Sequence, residues 1–179
     1  NNLVSLGAEV SVLSVVGDDE NGKELLAILE KLGVMVQGVI TQDGRKTSKK
    51  SRVIASHQQV VRFDSESKEE ITQKSTEALL RQYENALAHV DAILLSDYGK
   101  GVLTIELTCA LIERARIHNK PILVDPKGDD YRKYRGATLI TPNKKEASIA
   151  SKIAISNDES LQKAGCFLIN KETKEIALI

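Results

Sequence analysis

Three short apolar runs constrain this chain most: Ala92-Ile93-Leu94-Leu95, Ile122-Leu123-Val124 and Ala137-Thr138-Leu139-Ile140. Each breaks at once into a polar loop, and segments of helical period alternate with two of them. Runs this short, bounded by turn residues and separated by helical segments, read as buried parallel strands of an α/β sheet. In such a sheet the loops leaving the carboxyl ends of the strands line the ligand crevice. Those loops are Ser96-Asp97-Tyr98-Gly99-Lys100-Gly101, Asp125-Pro126-Lys127-Gly128 and Thr141-Pro142-Asn143-Lys144-Lys145-Glu146. Together they predict one site, cationic and acidic at once, which suits a phosphorylated ligand with a metal ion.

The rest of the chain extends the same alternation. Asn1 to Gly7 reads as the last turns of a helix closed by Gly7, and Ala8 to Val16 as a strand. A turn at Gly17–Gly22 opens a helix running to about Leu32, with Leu25, Leu26, Ile28, Leu29 and Leu32 on its apolar face and Gly33 ending it. Val34 to Ile40 follows as a second strand. Thr47–Ala55 and Gln59–Asp64 are β runs joined through Ser56-His57-Gln58, with no helix between them; they predict a hairpin over residues 47–64, either a lid over the site or a plain edge addition. Helices are expected over Glu69–His89, Thr104–Asn119 with Thr104 as N-cap, Asn143 to about Ser151, and Asp158–Lys171. Leu107, Leu111, Ile112 and Ala115 should face the core, and Leu161, Ala164, Gly165 and Leu168 recur at i, i+3, i+4 and i+7. Asp129–Gly136 reads as a polar loop carrying Tyr131 and Tyr134. The expected architecture is a three-layer α/β/α sandwich with right-handed crossovers.

The chain has 179 residues, enough for one domain with a real core. Its 25 basic and 25 acidic residues balance, so nothing argues for a nucleic-acid partner. Arg45-Lys46 and Lys49-Lys50 read as a solvated edge. Cys109 and Cys166 sit in apolar helical contexts and are expected to be buried free thiols. No apolar run of membrane length and no basic-then-apolar leader are present, so a soluble cytoplasmic protein is expected. The chain opens on Asn1 and stops at Ile179 inside a strand pattern, and both ends read as cut.

The candidate site residues each have two readings. Asn143-x-x-Glu146 at a helix start is a capping box, and is equally a place where Glu146 could hold Mg²⁺ through water beside nucleotide phosphates. Asp97 could bind substrate hydroxyls and Lys100 a phosphate; the alternative is an Asx turn with a solvated lysine. Asp125 and Lys127 straddle Pro126, and Lys127 is the better phosphate ligand because the rigid corner fixes its origin. Arg52, Gln58 and Arg62 lie on or beside the hairpin, where the arginine forks suit phosphate but are also ordinary surface groups. His57, His89 and His118 form no metal-ligand spacing. A P-loop, a Gly-x-Gly-x-x-Gly fingerprint and a Gly-x-Ser-x-Gly elbow are all missing.

Taken together, Val16–Gly22, Lys50–Arg62, Ser96–Leu103, Val124–Gly128 with Arg135–Thr138, and Thr141–Glu146 resemble the ribokinase-like (PfkB) carbohydrate kinases. Within that family they are most similar to heptose 7-phosphate kinase domains of bacterial bifunctional heptose kinase/adenylyltransferases. The resemblance implies ATP-dependent phosphorylation of D-glycero-D-manno-heptose 7-phosphate at C1, leading to ADP-heptose and lipopolysaccharide core. It implies ATP and Mg²⁺ as cofactors, with Asn143, Lys144, Lys145 and Glu146 as the nucleotide and metal segment. Arg52, Gln58, Arg62, Asp97, Lys100, Asp125 and Lys127 become sugar phosphate ligands, and the hairpin a lid that often forms a homodimer contact. The whole chain, 1–179, would be a partial kinase domain. The family's early Gly-Gly-x-x-x-Asn segment and late Gly-Ala-Gly-Asp motif, with its aspartate base, would lie outside it, so no catalytic residue is assigned here and the isolated chain is expected to be inactive. The alternatives are another ribokinase-like sugar kinase or a non-catalytic remnant.

Overall fold

The computed structural model describes residues 2–55, 58–171 and 173–176, which divide into two compact units. The first comprises Asn1–Tyr83 with Lys100–Val102. It begins with α1 (Asn2–Ser5), stopped at Gly7, then β1 (Ser11–Gly17), α2 (Glu20–Lys31) and β2 (Met35–Gln42). β1 and β2 pair in parallel, with Ser14 opposite Val39 and Val16 opposite Thr41. Asp19 links this crossover to the next segment. Its Oδ1 accepts the Gly22 N–H at 2.8 Å, capping α2, and its Oδ2 accepts the Thr47 N–H at 2.8 Å. The Thr47 hydroxyl in turn accepts the Gly17 N–H.

The expected apolar face of α2 does not become core. Leu25, Ile28 and Leu32 stay more than a third exposed, and Gly22 is the one buried residue of the helix. Helical period predicts a stripe, but burial needs a neighbour to cover it.

The hairpin forms as β3 (Lys49–Ala55) and β4 (Gln58–Ser65), with Gln58 inside the strand rather than in the connection; Ser56 and His57 lie outside the described residues. The register sets Arg52 opposite Arg62, and a bulge follows Val53.

Next comes α3 (Gln73–Leu87), shorter than the Glu69–His89 expected. Thr72 caps it, its hydroxyl accepting the Ser75 N–H. The preceding residues are held out of the helix: the Ile71 N–H donates to Gly101 O, and Arg45 donates to Glu69 O.

The second unit is Glu84–Gly99 with Leu103–Ile179. It contains β5 (Ile93–Ser96), α4 (Ile105–Ile117), β6 (Ile122–Asp125), a 3-10 turn at Arg132–Tyr134, β7 (Ala137–Ile140), α5 (Lys144–Ser151), α6 (Asp158–Lys171) and β8 (Thr173–Ile176). The four strands pair in parallel in chain order. The connections carry α4 between β5 and β6 and α5–α6 between β7 and β8, as parallel pairing demands. The polar loop expected over Asp129–Gly136 thus contains a helical turn. Leu107, Leu111, Ile112 and Ala115 of α4 are buried with Ile122, Val124, Ala137 and Ile140 of the sheet. Thr104 caps α4, accepting the Leu107 N–H.

The cysteines depart from expectation: both are free but exposed. Cys109 lies off the 107–108–111–112–115 stripe that α4 buries, so an apolar context did not translate into burial. Among the described residues no helix is long and apolar enough to cross a membrane.

Candidate active site

β5, β6 and β7 end together. Ser96 pairs with Asp125 and Val124 with Ile140, so the loops after all three strands leave one edge of the sheet. The Asp97 N–H donates to Asp125 O at 3.0 Å and the Thr141 N–H to Val124 O at 2.9 Å, extending the pairing into the loops.

Asp97 is buried, at 5% exposure. Its Oδ1 accepts the Gly99 N–H at 2.7 Å, an Asx turn. Its Oδ2 accepts both the Lys133 ammonium at 2.6 Å and the Tyr134 hydroxyl at 2.7 Å. The Tyr134 oxygen also accepts the Lys127 N–H at 3.0 Å. Lys133 lies over the Tyr134 ring, 4.9 Å from its centroid. Burial first, and the Asp97 carboxylate second, push the Tyr134 phenol far above its ordinary range. Asp97, expected to face substrate hydroxyls, is therefore surrounded by donors from its own chain.

Lys127 faces outward. Its Nζ lies 2.9 Å from Glu146 Oε1, and that hydrogen bond raises its pKa. Glu146 Oε2 accepts the Asn143 N–H at 3.1 Å, while Asn143 Oδ1 accepts the Glu146 N–H at 3.0 Å. The two readings of Asn143-x-x-Glu146 coexist: the capping box is formed, and the same carboxylate meets a lysine from the neighbouring loop. Lys144 and Lys145 are exposed in the first turn of α5, where positive charge opposes the helix dipole and an anion would relieve it.

Tyr131 is also buried, and its hydroxyl has no hydrogen-bond partner among the described residues. Burial, then the charges of Glu146 and Asp125, raise its pKa. No cluster of three or more metal-ligating side chains occurs among the described residues. Magnesium does not need one, since it takes one or two carboxylates and completes its shell with water and phosphate. Glu146 fits that role once Lys127 leaves its Oε1.

The remaining candidates belong to the first unit. Arg62 grips Asp64 with both arms of its fork, at 2.7 and 2.6 Å. Arg52 stands directly across the hairpin from it, and Gln58 pairs opposite Ala55. Lys100 is not the solvated lysine of the Asx-turn alternative, for its Nζ lies 2.5 Å from Glu66 Oε1.

Sequence reasoning placed Arg45 on a solvated edge; the structure buries it, at 8% exposure. Its guanidinium donates to Lys100 O and Glu69 O, and desolvation lowers its pKa. Gly101 sits beneath at φ 75°, where a Cβ would lie 2.0 Å from Glu69 O. Arg45, Tyr134 and Lys133 are the residues that sequence reasoning missed. The one available signal was the pair Tyr131 and Tyr134 in a loop otherwise polar.

Residues 1–178 match the pfkB family of carbohydrate kinases. The bifunctional protein HldE of Sulfurimonas denitrificans is 54% identical over 164 residues, covering 92% of this chain and 34% of that protein. That of Aliarcobacter butzleri is 46% identical over 179 residues, covering 100% and 38%. The chain thus spans little more than a third of these relatives. Arabidopsis thaliana ribokinase, solved with ribose and ATP, superposes with a TM-score of 0.73 at 15% identity, covering 98% of this chain and 56% of that one. Phosphofructokinase-2 from Escherichia coli, in a tetrameric inhibited form, gives 0.72 at 20% identity, covering 98% and 58%. The fold is the ribokinase-like α/β fold, and the chain belongs to the pfkB family of carbohydrate kinases.

Proposed function

We propose that the polypeptide carrying this chain is an ATP- and Mg²⁺-dependent kinase that phosphorylates D-glycero-D-manno-heptose 7-phosphate at C1. The sugar hydroxyl would attack the γ-phosphoryl group, releasing ADP and giving up its proton to a base. The likeness to HldE proteins supports the heptose substrate. The observation that carries the chemistry is the Lys127–Glu146 pair at the carboxyl edge, beside a helix start that bears Lys144 and Lys145. A cation paired to the capping carboxylate is ready to exchange partners when phosphate and metal arrive.

In this reading Asn143, Lys144, Lys145 and Glu146 hold the nucleotide, with Glu146 toward the metal. Lys127, Asp125, Lys100, Arg52, Gln58 and Arg62 serve the sugar phosphate. Asp97 contributes through the loop it organises, since its oxygens are already engaged. Residues 47–64 act as a lid. Val53, Ile54, Val60, Val61 and Phe63 are all exposed on it, which favours a homodimer contact through this hairpin. The partners are small molecules in the cytoplasm, not nucleic acid or membrane.

The test is ADP release by the full polypeptide with this heptose phosphate, set against ribose, fructose 6-phosphate and sedoheptulose 7-phosphate. Strong preference for the heptose phosphate is expected, as is a fall of two or more orders of magnitude in Glu146→Gln, roughly the weight of a metal-organising group. Glutamine keeps the capping box, so stability should change by less than about 1 kcal/mol. Equal turnover of all four sugars, or a fully active Glu146→Gln, overturns the proposal.

A further inference from the structure

Lys127 projects from a corner whose backbone must itself be held. Pro126 before it is fully buried, and Gly128 after it has φ 97°. The Lys127 N–H cannot join the β6–β7 ladder, whose last pair is Val124 with Ile140. It donates instead to the Tyr134 hydroxyl, the oxygen that donates onward to Asp97 Oδ2. The Lys127 stem passes over Gly99, where a Cβ would lie 3.6 Å from its Cγ. Asp97 in turn fixes Gly99 through the Asx turn, and Lys133 reaches both Asp97 Oδ2 and Leu103 O. One buried phenol therefore joins the loops after β5 and β6, and Lys133 ties the first of them to the start of α4.

We propose that Tyr134, with Lys133, is a positioning residue that sets where the Lys127 ammonium stands, and that Asp97 is the anchor of this arrangement rather than a ligand of substrate. Tyr134 touches no reacting atom in this account. It acts by denying the Lys127 corner alternative backbone positions, so that the ammonium keeps its place beside Glu146. A part-buried N–H that loses its acceptor has to find another or open toward water. The kinetic part of the proposal rests on the kinase reading above; the structural part does not.

The experiment uses the full polypeptide carrying Tyr134→Phe, a change that keeps the buried ring and removes the hydroxyl. Amide exchange over 97–101 and 125–128 should quicken about tenfold, while α4 is unchanged. KM for the sugar phosphate should rise about tenfold, with kcat within about threefold of wild type. Lys133→Met, which keeps the stem, should quicken exchange at 97–103 and, by a smaller factor, at 125–128 through the Asp97 oxygen it shares with Tyr134. If Tyr134→Phe folds poorly, Lys133→Met decides alone. Unchanged exchange in both variants, or a rise of equal size in α4, overturns the positioning role. A wild-type protein that ignores the heptose phosphate while the exchange pattern appears as expected removes the kinase reading and leaves the positioning role standing. Normal wild-type turnover with an unaltered KM in Tyr134→Phe does the reverse.

Discussion

The hairpin β3–β4 and the loops at the carboxyl edge of β5–β7 are both dense in charge, and they use it in opposite ways. Every residue of β3 and β4 is exposed, and the Arg62 fork closes on Asp64, two residues away. At the carboxyl edge Asp97 is buried, and its partners Lys133 and Tyr134 lie 36 and 37 residues away in sequence. An exposed ion pair is screened and stabilises little, whereas a buried one leaves an uncompensated charge when it is broken. The difference teaches that residues which look like ligands in sequence can have different duties. Those of the hairpin are exposed, with Arg62 paired to a near neighbour, whereas both oxygens of Asp97 are taken by donors of the second unit.

Asp97→Ala should show the largest effect on stability. It removes the acceptor of the Gly99 N–H, the Lys133 ammonium and the Tyr134 hydroxyl together, and about 3 kcal/mol should be lost in chemical denaturation. A loss as small as that of a surface substitution would erase the contrast.

Alkaline pH sharpens it next. Burial raises the pKa of both Tyr131 and Tyr134, so the folded state holds protons that the unfolded chain releases. Their contribution is complete below the unfolded value of about 10 and is lost as pH climbs beyond it. Of the four tyrosines, these two should ionise only as the second unit unfolds, read by phenolate absorbance alongside circular dichroism. Phenolate appearing for all four before any loss of structure would refute this.

The smallest stability effect belongs to the hairpin. Phe63 is 60% exposed, and Phe63→Ser should cost less than about 0.5 kcal/mol. If the hairpin is a homodimer contact, the same substitution should shift the sedimentation behaviour of the full polypeptide toward monomer. A large loss of stability with no change in association would break the comparison from the other side.

Much of this was legible in the chain. The apolar runs at 92–95, 122–124 and 137–140 gave the parallel strands, and Thr104 and Asn143 marked helix starts that form as read. The hairpin was legible as well, though its strands shifted by one or two residues. The start of α3 was not, because a run of glutamates reads as helix while Arg45 and Gly101 hold Glu69–Ile71 elsewhere. Nor was the exposure of Cys109 and Cys166, or of the leucines of α2, because an apolar neighbourhood in sequence does not say which face is covered. At the site, the grouping of Asp125, Lys127 and Glu146 was readable, whereas the burial of Asp97 was not.

Local chemistry set the elements. Periodicity, caps and turns act across about four residues, so the order of residues along the chain is enough to specify them. Strand register decided the rest. Once Ser96 lies beside Asp125 and Val124 beside Ile140, side chains distant in sequence share one edge. Only then does Tyr134 reach both Lys127 and Asp97, and only then does Lys127 meet Glu146, because a hydrogen bond needs its partners within about 3 Å, a condition that sequence spacing cannot express.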